Sequence, residues 1–140
     1  MSRPDYGKCE EIINHSKIPV GEGGRKFQLL NPNNLDVRRI DLENCYLKQQ
    51  KACDALLITP TNTEYYVEIK GKKIDDALEQ ILNSIEKASQ NLPDTKRVVI
   101  VIASRVPKET TGTQKLKKRL KKFTVQPPII KNDFYEEHLR

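Results

Sequence analysis

The stretch Val67-Glu68-Ile69-Lys70 ends in a carboxylate and an ammonium two residues apart, and Asp54 stands fourteen residues before that carboxylate. On a strand, the side-chain period of two puts Glu68 and Lys70 on one face and Val67 and Ile69 on the other. A hairpin turning about Thr61 would place residues 54 and 68 opposite each other, because both lie seven positions from it. Two carboxylates held a few ångström apart repel, and a hard divalent cation relieves that repulsion. Oxygen donors of this kind suit Mg2+ or Mn2+. A metal so held lowers the pKa of a bound water and stabilises charge developing on a phosphodiester. The Lys70 ammonium would then orient the attacking water, or take part in proton transfer if its pKa is depressed. The plain alternative is a sheet face open to solvent, with Glu68 and Lys70 as ordinary surface charges.

These residues need two strands and a turn to meet. Cys53 to Ile58 is an apolar run of strand length, TPTNT at 59–63 is a turn, and EYYVEIK at 64–70 is the next strand, so the two read as a hairpin. Asp75 to Ala88 reads as a helix, with Ala77, Leu78, Ile81, Ile85 and Ala88 on one apolar face. RVVIVIAS at 97–104 reads as a strand buried on both faces. QKLKKRLKKF at 114–123 lies in a predicted basic C-terminal helix at about 112–123, anchored by Leu116, Leu120 and Phe123, and Ile129-Ile130 reads as an edge strand. Upstream, the helical spacing of Tyr6, Cys9 and Ile13 predicts a short helix over Tyr6 to His15. IPVGEGGRK reads as a loop and KFQLL as a strand stopped by Asn31-Pro32-Asn33-Asn34, while VRRIDLENCYL reads as a further strand or an irregular connection. The order is α-β-β-β-α-β-α, an α/β domain over residues 1–140 with a mixed sheet flanked by helices.

Charge narrows the partners. The net charge is +6, and the segment from Arg105 to Lys122 carries eight basic residues against Glu109 alone, so it accounts for the whole excess. A localised basic stripe is the footprint of a polyanion partner, and Lys115, Lys117, Lys118, Arg119 and Lys121 are the candidate nucleic-acid contacts. A solvated helix face is the alternative. Arg38 and Arg39 are further candidates for phosphate contact or for surface roles. The GEGG at 21–24 lacks the Lys-Ser/Thr of a phosphate-binding P-loop and precedes a strand. Tyr65 and Tyr66 read as strand packing rather than base-stacking platforms. No apolar run approaches the length of a membrane span, and MSRPDYGKCEEIINH lacks the apolar region of a secretory signal. Three cysteines, Cys9, Cys45 and Cys53, without a C-x-x-C and with only two histidines, read as reduced core thiols rather than a zinc site. The expected location is therefore intracellular, cytoplasmic or nucleoid-associated.

Asp54-x13-Glu68-Ile69-Lys70 on consecutive strands, followed by an amphipathic helix, resembles the PD-(D/E)XK nuclease superfamily of restriction endonucleases, resolvases and RecB-type nuclease domains. The resemblance spans about residues 6 to 103. It implies a restriction-endonuclease-like αβββαβ core and a Mg2+- or Mn2+-dependent DNA endonuclease or related phosphodiester hydrolase. Carried over, Asp54, Glu68 and the Ile69 carbonyl hold the metal and Lys70 assists the water. Many members carry a glutamate on the first helix, for which Glu10 or Glu11 is the candidate, with Glu11 favoured. Many also carry a glutamine on the helix after the E-x-K strand, and Gln80 occupies that place. The chain departs from the family in having Cys53 where a proline often precedes the aspartate, and Ser84 where RecB-like members have tyrosine. DNA is the implied partner, with RNA as a second candidate; cutting two strands would call for two sites and hence a homodimer. The rival readings are a catalytically inactive nuclease-like module that binds nucleic acid or protein, and a small interaction protein whose basic helix meets an acidic partner.

Overall fold

The computed structural model describes residues 4–70, 73–105 and 108–140, the side chain of Lys70 excepted. In chain order the strands and helices are β1 (Glu10–Ile13), β2 (Lys17–Glu22), β3 (Arg25–Leu30), β4 (Val37–Asp41), β5 (Ala55–Ile58), β6 (Thr63–Lys70), α1 (Ile74–Ala88), β7 (Lys96–Ala103), α2 (Thr111–Leu120), β8 (Ile129–Asn132) and β9 (Phe134–His138). A six-stranded sheet runs β1-β4-β5-β6-β7-β8, and a three-stranded sheet runs β2-β3-β9. The large sheet is mixed: β1, β4, β5 and β6 pair antiparallel, whereas β6–β7 and β7–β8 are parallel. The parallel step from β6 to β7 needs a crossover, and α1 supplies it.

Both faces of the central strands are covered, which is why β5 and β7 read as continuous apolar runs. On one face Leu56, Tyr66, Val99 and Val101 pack under Leu78, Ile81 and Ile85 of α1 and Leu116 and Leu120 of α2. On the other, Leu57, Tyr65, Val67 and Ile100 pack against Ile18, Val20, Phe27 and Leu29 of the small sheet. Asp75 and Asp76 in the first turn of α1 and Lys87 in its last complement the helix dipole. Thr110 caps α2, accepting from Thr113 N at 3.1 Å, and the Thr113 hydroxyl donates to Asp75, which ties the two helices together. Among the described residues no helix is long and apolar enough to cross a membrane.

Three expectations are corrected. Residues 6–15 are not a helix: Gly7–Cys9 is a 3-10 turn and Glu10–Ile13 is strand β1. Tyr6 and Cys9 turn into the helix-side core while Ile13 faces the other one, so the apparent helical spacing serves two opposite faces. Second, IPVGE is strand, not loop; Ile18 and Val20 are buried, and Pro19 is tolerated because β2 is an edge strand. Third, Cys9 and Cys45 are joined by a disulfide, and only Cys53 is a free, buried thiol. The pairing of β1 with β4 brings Cys9 beside the π-helical turn Leu42–Tyr46 that follows β4. With two of the three thiols oxidised, the cysteines no longer point to an intracellular location. The alternative of a solvated face on β6 is also overturned: Glu68 is 4% exposed beneath α1.

Candidate functional site

The β5–β6 hairpin pairs Ala55 with Val67, Leu56 with Tyr66 and Ile58 with Glu64. Continued by one residue, that register sets Asp54 opposite Glu68. Their contacts are reciprocal. Asp54 N donates to Glu68 Oε1 at 3.0 Å, and Ile69 N donates to Asp54 Oδ2 at 2.7 Å. Each carboxylate is therefore oriented by the backbone of the opposite strand. In a strand the N–H and C=O of one residue point to the same side, so the Ile69 carbonyl faces the Asp54 side as well.

Helix α1 closes the site from above. With its amide nitrogen turned toward the acceptors around it, Gln80 donates to Glu68 Oε2 at 3.1 Å and to Asp76 O at 3.2 Å. One helical turn on, Ser84 Oγ accepts from Cys53 N at 3.0 Å and donates to Gln80 O at 2.8 Å. Ser84 thus fastens the helix to the residue preceding Asp54, a link the sequence did not signal. Burial pushes the pKa of the Cys53 thiol well up, which keeps it protonated and inert beside the two carboxylates.

The candidates separate as follows. Asp54, Glu68, Ile69 and Gln80 come together. Lys70 closes β6 with its backbone opposite Ala103, while its side chain lies outside the described residues. Glu10 is taken up by Arg38 at 2.7 Å, and Arg38 lies over the Tyr6 ring. Glu11, one position on, belongs to the opposite face of β1 and lines a groove with Asp54 and Ile69. It sits on a strand, not on the expected helix.

That groove has a volume of about 1000 Å³ and runs between the large sheet and the tip of the β2–β3 hairpin. The hairpin seats closely on β6: Gly21 has φ +95°, and a Cβ there would come within 2.5 Å of Arg25 O and 3.1 Å of Ile69 Cγ1. Among the described lining residues are five carboxylates, on Glu11, Glu22, Asp41, Asp54 and Asp133, and two cations, Arg25 and Arg39. No residue of α2 lines it. Lys115, Lys118 and Arg119 are exposed on the outside of α2, Lys121 is exposed just past its end, and Lys117 is paired with Glu109 at 2.6 Å. The Lys117 hydrogen bond and charge lower the pKa of the Glu109 carboxyl.

A second acid on β6, Glu64, is also buried. It accepts from the Tyr66 and Ser89 hydroxyls and from Gln90 N, each at 2.8 Å, with the Arg97 guanidinium at 3.6 Å. Its oxygens serve the fold, toward the opposite end of the strand from Glu68.

No group of three or more His, Cys, Asp or Glu able to hold a metal on protein ligands alone occurs among the described residues. No protein-family model, curated protein or solved structure matches the chain.

Proposed function

We propose that the chain is a metal-dependent phosphodiester hydrolase of the PD-(D/E)XK type, acting on DNA or, as the second candidate, RNA. The observation that carries the reading is the Asp54–Glu68 pair, two carboxylates fixed by each other's strands at the open end of a hairpin that borders a groove. The succession β4-β5-β6-α1-β7 supports a likeness to the βββαβ part of the nuclease core, although no first helix occurs among the described residues. The donor set fits Mg2+ or Mn2+: it consists of hard oxygens, and Mg2+ is usually held by one or two carboxylates with water and substrate phosphate completing its shell. That no third carboxylate joins them among the described residues is compatible with that habit. Each carboxylate oxygen has more than one lone pair, so the backbone bonds to Asp54 and Glu68 do not use up their acceptor capacity.

In this reading Asp54, Glu68 and the Ile69 carbonyl would hold the ion, which when bound supplies an acidified water and charge stabilisation at the phosphate. Gln80 holds the Glu68 carboxylate in place, Lys70 positions the water, and Glu11 stands across the groove. The exposed cations of α2, Lys115, Lys118, Arg119 and Lys121, would meet the backbone of a longer nucleic acid without reading sequence.

Wild type should cut labelled nucleic acid in Mg2+ or Mn2+, stop in EDTA, and lose cleavage in Asp54→Asn. A panel of single strands, duplexes, flaps and junctions in DNA and RNA tests this; no cleavage of any member would remove the hydrolase. The second reading, a module that binds without turnover, is favoured by the reciprocal backbone bonds, which would hold the hairpin end together even without a metal. It requires binding with no cleavage, insensitive to Glu68→Gln.

A further inference from the structure

We propose that the groove holds a nucleic-acid strand by its phosphates through Arg25 and Arg39, with the β2–β3 hairpin as one jaw of the clamp. This rests on the polyanionic substrate of the hydrolase reading and says where that substrate lies. The described groove lining is acidic, with five carboxylates against two cations. Among the described lining residues, those two are the positive groups that a phosphodiester chain entering it would meet, besides any metal at Asp54 and Glu68.

Both guanidiniums are available for that contact. Despite the surrounding acids, neither makes an ion pair with a described residue, whereas Arg38, Arg97 and Arg140 each pair with a carboxylate. Arg39 donates one bond, from Nη1 to Pro19 O at 2.8 Å, which fixes the guanidinium between the two sheets and leaves four N–H groups. Arg25 sits on the first residue of β3, across the hairpin from Glu22. The close seating of Gly21 on Ile69 holds the hairpin against the strand that carries Glu68, so Arg25 keeps its distance from the carboxylate pair. Two guanidiniums lining the groove, one from each sheet and each with a planar fork suited to phosphate oxygens, make a two-point grip.

The experiment measures binding of a short labelled single-stranded oligonucleotide at several monovalent salt concentrations, in a fixed concentration of Ca2+, with a gel check that the strand stays intact. Each lost phosphate contact should make the slope of log K against log salt shallower by about 0.7. Arg25→Gln should therefore shift it by about 0.7 and the Arg25→Gln/Arg39→Gln pair by about 1.4. Arg39→Gln also breaks the bond to Pro19, so Arg25→Gln, at the exposed tip, separates the grip from folding. A wild-type slope in Arg25→Gln overturns the clamp. Cleavage by wild type in Mg2+, run alongside, answers for the hydrolase separately: a shifted slope without cleavage keeps the clamp and removes the hydrolase, and cleavage with an unshifted slope does the reverse.

Discussion

Asp54 has an observed role and a proposed one, which a single substitution can separate. Its Oδ2 accepts from Ile69 N, and its charge would hold a cation. Asp54→Ala removes both and leaves a backbone N–H short of its acceptor, at a cost of about 1–3 kcal/mol. Asp54→Asn keeps an oxygen for Ile69 and removes only the charge. Mn2+ titration should show binding in wild type and none in Asp54→Asn, with the melting temperature of that variant close to wild type's. Equal Mn2+ binding in both proteins would sink the metal assignment. Lys70 is tested by rate alone: Lys70→Ala should lose about 10²-fold or more in cleavage with little change in affinity, and normal cleavage would return Lys70 to an ordinary charge. At this scale the sequence was informative, since Asp54, Glu68 and Gln80 meet. That Glu11 and not Glu10 borders the groove was decided by the alternation of β1, which was visible only once residues 10–13 were known to be a strand.

At the scale of elements, the hairpin, α1, β7 and α2 were legible because each carries an unbroken apolar run or periodicity and clear stops. The first fifteen residues were not, since a 3-10 turn shares the i, i+3 spacing of a helix. The disulfide was hidden for a related reason: an odd cysteine count gives no pairing, and Cys9 and Cys45 become neighbours only through the β1–β4 ladder. Closing a loop across a sequence separation of 36 should stabilise the fold by about 3–4 kcal/mol in the chain-entropy view. Urea unfolding with and without a reductant, and of Cys45→Ser, should show that loss; identical midpoints would mean the bond contributes nothing. The basic helix gives a further test. Lys115, Lys118 and Lys121 are exposed, and Lys117 is engaged with Glu109. Changing Lys115, Lys118 and Lys121 to Gln should flatten the salt slope for a long duplex by up to about three units, near 0.9 per contact. An unchanged slope would make α2 a solvated face.

For the molecule as a whole, the second sheet is what the sequence concealed. β9 pairs parallel with β3 across more than a hundred residues, and nothing local to FYEEH announces that partner. Part of its attachment to the large sheet runs through Glu137. The Tyr65 hydroxyl on β6 donates to Glu137 Oε2 at 3.1 Å, Tyr135 donates to Oε1 at 2.8 Å, and Arg140 donates to Oε2 at 2.9 Å. Burial pushes the Glu137 pKa up, but the hydrogen bonds from Arg140, Tyr135 and Tyr65 outweigh it, so the carboxyl lies below its ordinary value. A group depressed in the folded state stabilises above its unfolded pKa, about 4.3 for glutamate, and loses that contribution as pH falls through the folded value. Glu137→Gln should therefore cost about 1–3 kcal/mol at pH 7, with the gap to wild type closing as the pH drops below about 4. Urea midpoints of the two proteins between neutral and acid pH test this. A gap that stays constant across that range would mean the Glu137 charge does not hold the two sheets together. A gap that closes would locate part of the acid sensitivity at the joint that seats the β2–β3 hairpin over the groove.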